Sequence, residues 1–269
     1  MKITLITACY NSAGTIRTAI ESVLSQKSVD VEYIVVDGAS TDGTVDMLKE
    51  YEPRFAGRMR YISEPDKGMY DAINKGIAMA IGDVVGILNA DDVLADDETL
   101  AHVAEAFESG GVRSGGVGER VNCVYADIRF VREGESVEAL RTANTVRYCS
   151  AAKWKPWMFR FGAMVPHPSF YVRRECFARL GGYSLDYRIC ADFELELRYL
   201  YLAKLKSVYL PECVVVMRMG GASTAGWRSN VEINLEDLRA LRANGVWSCL
   251  PLIYLKYIFK IWGFVFKRR

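Results

Sequence analysis

The chain lacks the glycine-rich loops with which many nucleotide-binding sheets grip phosphate. The turn after its first apolar run reads "CYNSAGTI" (9–16), without Gly-x-Gly-x-x-Gly, and no Gly-x-x-x-x-Gly-Lys-Ser/Thr occurs. A nicotinamide or flavin Rossmann site and a P-loop NTPase are disfavoured. Charge of one sign is missing too: 34 Lys and Arg face 33 Asp and Glu, a net +1, so no overall field argues for nucleic acid. The seven cysteines are odd in number and form no Cys-x-x-Cys pair. That argues against a disulfide framework or a zinc site and fits a reduced cytosolic interior. The opening "MKITLITACYNS" has too short an apolar part, and no convincing cleavage site, for a signal peptide; it reads as a first strand.

What is present is a folded globular composition. Hydrophobic residues make up 51% of 269 and charged residues 25%, enough for one large α/β domain or two small ones. The first hundred residues alternate. "KITLITA" (2–8), "EYIVVD" (32–37), "RMRYIS" (58–63) and "GDVVGIL" (82–88) have strand character. Between them, residues 13–27, 43–51 and 69–80 carry apolar positions at helical spacing, and 96–108 follow as a fourth helix opening on acids. This order predicts a mostly parallel sheet with helices on both faces.

Ligands of such sheets sit beyond the carboxyl ends of the strands. Here the four strands end in "ACYN", "DGASTDGT", "EPDKG" and "NADD". One polar strand end means little; four in succession outline a site. In "GILNADDVL" (86–94) an apolar run meets two adjacent carboxylates, which repel each other and resist desolvation. A helix cap in solvent explains one such case. A divalent cation explains it as well, because the hard oxygens of Asp91, with help from Asp92, suit Mg²⁺ or Mn²⁺ bridging to diphosphate in a chain without a phosphate loop.

"ESGGVRSGGVGER" (108–120) is a glycine-rich break, after which the alternation weakens. "VNCVYADIRFV" (121–131) reads as strands, and "HPSFYVRRECFARLGGY" (167–183) as a short strand and a helix ending at Gly181-Gly182. Residues 191–203 are helical, and "KSVYLP" and "CVVVMRM" are two strands. The predicted organisation is a nucleotide-binding half (1–110), a second half of the same domain for acceptor and base (111–225), and C-terminal helices (226–269).

Taken together, "ITACYN", "VVDGASTDGT", "SEPDKGMYDAINKGIAMAIGDVVGILNADDVL" and "HPSFYVRRECFARLGGYSLDYRICADFELELR" resemble the inverting family 2 glycosyltransferases of GT-A fold, over roughly residues 1 to 225. The similar enzymes are bacterial ones that build surface polysaccharides. The resemblance implies a nucleotide-sugar donor, a lipid-linked or oligosaccharide acceptor, a Mn²⁺ or Mg²⁺ ion, and no nucleic acid partner. By position it places Tyr10 near the nucleotide base and gives Asp37 a hydrogen bond to that base. Asn89-Ala90-Asp91 falls at the family's Asp-x-Asp, with Asp91 on the metal and Asn89 able to bond a ribose hydroxyl. Asp192 in "CADFEL" falls at the catalytic base, which takes the proton of the attacking hydroxyl. Two departures stand out. Relatives often have Glu-Asp at the base, where this chain has Ala191-Asp192. Many carry an Arg in the helix after strand three, where Ile73 stands and Lys67 or Lys75 would have to replace the charge.

Other residues leave two readings open. His167 is a satisfied polar residue or a contact to diphosphate or acceptor. Arg218 before "MGGAS" reaches the diphosphate or is a solvated strand end. Asp42 reads as an N-cap, and Asp66-Lys67-Gly68 is a turn that borders the nucleotide. Trp154, Trp157 and Phe159 stack on sugar faces or pack in a core.

The tail "VWSCLPLIYLKYIFKIWGFVFKRR" (246–269) is greasy, yet it contains Pro251, Lys256 and Lys260. At helical spacing Lys256, Lys260 and Lys267 lie within about 40° of one another, a basic stripe on an aromatic helix. That predicts an interfacial helix on the inner face of the cell membrane, while a helix packed on the domain stays open. A non-catalytic nucleotide-sugar-binding component of a membrane polysaccharide assembly is the second functional reading. A nucleotidylyltransferase is disfavoured by the first loop.

Overall fold

Strand β1 (Lys2–Cys9) is covered on both faces, so its apolar residues divide between two cores. Ile3 and Leu5 join Ile16 and Ile20 on one side; Ile6 joins Ile73 on the other. β2 (Asp30–Asp37) and β4 (Val84–Ile87) flank β1 in parallel, and β3 (Met59–Ser63) lies parallel to β2 at the outer edge. Four strands in that relation need helical crossovers. They are α1 (Ile16–Leu24), α2 (Thr44–Tyr51) and α3 (Met69–Met79), with α4 (Thr99–Ser109) following. The computed structural model describes residues 1–109, 120–220 and 227–265, without the side chains of 227–229 and 258–265. Most of the glycine-rich stretch 108–120 therefore lies outside the described residues.

The sheet continues into the second half of the chain in the order β3-β2-β1-β4-β8-β6-β9-β5. Here it becomes mixed. β8 (Tyr171–Arg173) runs antiparallel to both β4 and β6 (Cys123–Val131), and β9 (Ser207–Arg218) lies parallel to β6. The short β5 (Val93–Leu94) pairs antiparallel with β9, and β7 (Arg147–Cys149) pairs with β6. Where the sequence predicts two strands, "KSVYLP" and "CVVVMRM", there is one. The register jumps from Ala126↔Leu210 to Asp127↔Cys213, so Pro211 and Glu212 bulge out of the ladder. Proline has no N–H to donate, and a bulge is where a strand tolerates it.

α5 (Val137–Thr142), α6 (Arg174–Leu180) and α7 (Ala191–Glu196) complete this half, and α7 runs on as a wider turn over Leu197–Leu202. α8 (Trp227–Ala243) packs on α7, and α9 (Leu250–Val265) crosses α8 and the 156–161 turn. Lys256 corrects one expectation of the sequence. It does not belong to a solvent-facing stripe: its Nζ lies 2.7 Å from Asp237 Oδ2, with side chains only 8% and 3% exposed. A Cβ on Gly162, whose φ is +67°, would stand 3.2 Å from that Nζ, so the turn packs directly on the ion pair. The Lys260 side chain and Lys267 lie outside the described residues. Among the described residues no helix is long and apolar enough to cross a membrane.

A buried pair whose partner is deleted leaves a stranded charge. Lys256→Met is expected to destabilise the protein by about 3–5 kcal/mol, and Lys256→Met with Asp237→Leu to recover most of the loss. Urea denaturation of the three proteins measures this; a single variant as stable as the parent would show that the pair contributes nothing.

Candidate active site

The carboxyl end of β4 turns at Asn89–Asp92, closed by the Asp92 N–H to the Asn89 carbonyl at 3.2 Å. The chain then enters β5, whose register on β9 is Val93↔Val216 and Leu94↔Val215. Continued outward by two residues, that register sets Arg218 opposite Asp91. The guanidinium donates to the Asp91 carbonyl at 3.3 Å, Thr18 Oγ1 at 3.0 Å and the Gly134 carbonyl at 3.0 Å. Arg218 is thus no solvated strand end. It is a cation built against two adjacent acids, which counter the desolvation that lowers its own pKa.

The two acids differ. Asp91 is partly exposed at the mouth of the turn. Asp92 is 1% exposed and accepts from Asn89 Nδ2 at 2.8 Å; burial and the neighbouring Asp91 push its pKa well above the usual carboxylate range. Asp92 therefore braces Asn89 from inside and does not join Asp91 at the solvent side, contrary to expectation. Among the described residues no group of three or more His, Cys, Asp or Glu could hold a metal. The donor set still fits Mg²⁺ or Mn²⁺, which take one or two protein carboxylates and complete their shell with phosphate and water oxygens.

The second strand end is built differently from the sequence reading. Asp37 is fully buried, accepting from the Ser40 N–H at 2.9 Å, the Ser40 hydroxyl, the Ser63 hydroxyl at 2.6 Å and Cys9 Sγ at 3.6 Å. Its carboxylate is saturated, so it floors the crevice and does not line it. The acid at the surface is Asp66. A Cβ on Gly38 would come within 2.6 Å of Asp66 Oδ2 and 3.4 Å of the Tyr10 ring, so only glycine lets these three meet. Tyr10 is 65% exposed, an open aromatic face beside that carboxylate. Asp66 was legible only as part of a turn: its Oδ1 caps the Gly68 N–H at 2.7 Å. Lys67 is exposed in the same loop. Lys75 is spent on Glu64 at 2.8 Å and the Pro65 carbonyl at 3.0 Å. Ile73 is buried in the core and brings no charge to the crevice. Asp42 bonds Thr44 and also the Ala13 N–H at 2.9 Å, tying the lead-in of α1 to that of α2.

Asp192 opens α7, its Oδ1 accepting from the Phe193 N–H at 2.8 Å. Tyr70, the second residue of α3, bonds the Ile189 carbonyl through its hydroxyl and stacks on Tyr183 at 5.5 Å. α3 follows directly on the loop of Asp66 and Lys67, so Tyr70 joins that loop to the segment bearing Asp192. Burial raises the Asp192 pKa to about 6, against the pull of the Phe193 N–H and Tyr70.

His167 turns inward. Its Nε2 faces the Tyr183 hydroxyl at 3.2 Å and its Nδ1 lies 3.7 Å from Glu196 Oε1. Burial lowers its pKa to about 4, which leaves the imidazole neutral at pH 7, and burial also raises the pKa of Glu196 well above the usual carboxylate range. The imidazole is buried with Nδ1 lacking a hydrogen-bond partner among the described residues, so it is only half satisfied, and it points into the core rather than at the strand ends. Trp154 and Phe159 pack edge to face at 5.3 Å in the core, while Trp157 is exposed.

A sheet with acids at its strand ends, a solitary partly exposed aspartate on a turn and a second acid on a crossing helix has the arrangement of a GT-A glycosyltransferase. The family model for "Glycosyl transferase family 2" matches residues 4–146, over half of the chain, and the chain belongs to that family. It is a glycosyltransferase. A "PGL/p-HBAD biosynthesis glycosyltransferase" of Mycobacterium bovis is 28% identical over 237 residues, 88% of this chain and 82% of that one. Among solved structures, Staphylococcus aureus TarS 1–349 in complex with UDP-GlcNAc superposes with a TM-score of 0.60 at 16% identity, covering 90% of this chain and 66% of that one. The chain spans only 40% of the longer TarS chain. The mannosyltransferase PcManGT of Pyrobaculum calidifontis, in complex with GDP-Man and Mn²⁺, gives 0.57 at 19% identity, covering 98% of this chain and 81% of that one. These last two show the shared fold.

Arg218→Met would leave a hydroxyl and two carbonyls without their donor and two acids without their cation. The expected loss is about 2–3 kcal/mol of stability. An unchanged denaturation midpoint would show that the Arg218 bonds are dispensable.

Proposed function

We propose that the chain transfers a glycosyl group from a nucleotide-sugar donor to a lipid-linked or oligosaccharide acceptor with inversion, Asp192 acting as general base and Asp91 holding a Mn²⁺ or Mg²⁺ ion. The observation that carries this is Asp192 itself: a carboxylate at a helix start, with a pKa near 6, joined through Tyr70 to the loop of Asp66 and Lys67. In a single displacement the acceptor oxygen forms its bond to the anomeric carbon as the bond to the diphosphate oxygen breaks. The bonding pair leaves with the diphosphate and the hydroxyl proton passes to Asp192. When bound, the cation would neutralise charge on the leaving diphosphate. Tyr10 would stack on the base, Asp66 would accept one of its N–H groups, and Asn89 would bond a ribose hydroxyl. Arg218 would lie beside the diphosphate and Lys67 at the rim of the nucleotide crevice.

The reading also seats the protein on the cytoplasmic face of the cell membrane. Trp247 and Tyr254, 67% and 42% exposed, support it, since such rings partition to the lipid interface. Lys256 has no part in that contact.

Asp91→Asn should abolish metal-dependent binding of UDP or GDP; calorimetry with and without Mn²⁺ reads this directly, and metal-stimulated binding that survives would remove Asp91 from the ligands. Asp192→Asn should cut transfer by at least ~10²-fold with donor affinity nearly intact. A base must be ionised to accept a proton. Activity of the parent should therefore be present above its raised pKa and fall as pH drops through about 6. A pH–rate profile flat from 5 to 8 would contradict the assignment, and retention of anomeric configuration, read by NMR of the product, would rule out single displacement.

A further inference from the structure

The loop that leads into α7 donates its backbone hydrogen bonds to a distant side chain. α7 begins after Cys190, whose side chain makes no capping bond, and the N–H groups of residues 188 to 190 need an acceptor as any backbone donor shielded from water does. Glu236, on α8, provides it. Its Oε1 accepts from the Arg188 N–H at 3.0 Å, and its Oε2 accepts from the Ile189 and Cys190 N–H groups, both at 2.9 Å. Three consecutive backbone donors converge on one carboxylate 46 residues downstream. Bonds to a charged acceptor are the stronger kind. The same face of α8 holds the segment at two more points. The Ile233 carbonyl accepts from Cys190 Sγ at 3.6 Å, and Arg239 donates to the Asp186 carbonyl at 3.3 Å while lying over the Tyr187 ring. Behind it, Asp237 and Lys256 lock α8 to α9.

We propose that Glu236 is a positioning residue of the glycosyl-transfer reaction, a cap supplied by α8 that places the Asp192 carboxylate. The proposal rests on the reading of Asp192 as general base. It also gives the C-terminal helices a task at the reacting centre, outside the residues matched by the family model. The clamp acts in two ways. It orders the backbone from 188 to 190, and so the first turn of α7. It also sets a negative charge near Asp192, which raises that group's proton affinity. The other groups facing Asp192 are Tyr70 from α3, Tyr183 and Cys190 from the preceding loop, Glu196 one turn along α7, whose pKa burial raises, and Asp237, paired with Lys256.

The test compares the full-length parent with E236Q, E236D and D192N. UDP binding with Mn²⁺ is measured by calorimetry, and turnover as nucleoside diphosphate release from UDP-GlcNAc, UDP-glucose and GDP-mannose. The Asp192 carboxyl is titrated by ¹³C NMR, its signal assigned by loss in D192N. E236Q is expected to keep the UDP affinity of the parent, to lose about tenfold to a hundredfold in kcat, as displaced catalytic groups do, and to titrate Asp192 at lower pH. E236D keeps the charge but not the reach; its kcat falls while the Asp192 midpoint stays. Wild-type turnover by E236Q, an unmoved midpoint, or loss of UDP binding in both Glu236 variants would overturn the proposal, the last by making Glu236 a residue of the fold at large. Full transfer by D192N would remove the base reading and the proposal with it. An inactive D192N beside a fully active E236Q would remove the proposal alone.

Discussion

Asp91 and Asp92 are adjacent carboxylates at the end of a buried strand, and the fold tolerates them because Arg218 arrives from a strand that the chain reaches more than a hundred residues later. Its guanidinium bonds the Asp91 carbonyl, Thr18 on α1 and the Gly134 carbonyl, so one side chain joins three parts of the structure. The delivery depends on register. β5 is only two residues long, yet its pairing with β9 decides which side chain stands opposite Asp91. A one-residue slip in that pairing would turn Arg218 to the other face of the sheet.

Burial and hydrogen bonding together decide what each acid around the site can do. Asp37 is fully buried, but four donors occupy its oxygens, and it serves as a floor. Glu196 is equally buried with one oxygen unpartnered, and burial pushes its pKa well above the usual carboxylate range. For Asp192, one backbone N–H and the nearby Tyr70 hydroxyl oppose the burial, leaving its pKa raised to about 6.

The C-terminal helices illustrate how a sequence pattern misleads about environment. Aligned lysines on an aromatic helix read as a basic stripe toward an anionic surface. Lys256 instead meets Asp237 under the 156–161 turn, and α8 turns its Glu236 toward the chain entering α7. Periodicity identifies a helix face, but not the neighbour that covers it.

Much of the first half was legible in the sequence for a local reason. Strand and helix periods, and turn residues at strand ends, are written within a few residues of each other, so the parallel β1–β4 core and the Asn89–Asp92 turn follow directly. Asp192 was placed by its motif. The strands β5 and β7 were missed because they are too short to show a period, and β9 was divided because Pro211 interrupts its pattern without interrupting the strand. The sequence alone thus determined the fold class and the four polar strand ends, and it singled out Asp91 and Asp192 as candidates. Only the tertiary structure decided which acids face solvent and which are saturated: Asp66 over Asp37, Asp91 over Asp92. It also brought Arg218 to Asp91, Glu236 to residues 188–190 and Asp237 to Lys256. Those contacts join residues far apart in the chain, and burial, which sets the charge state of each group, exists only once they have formed.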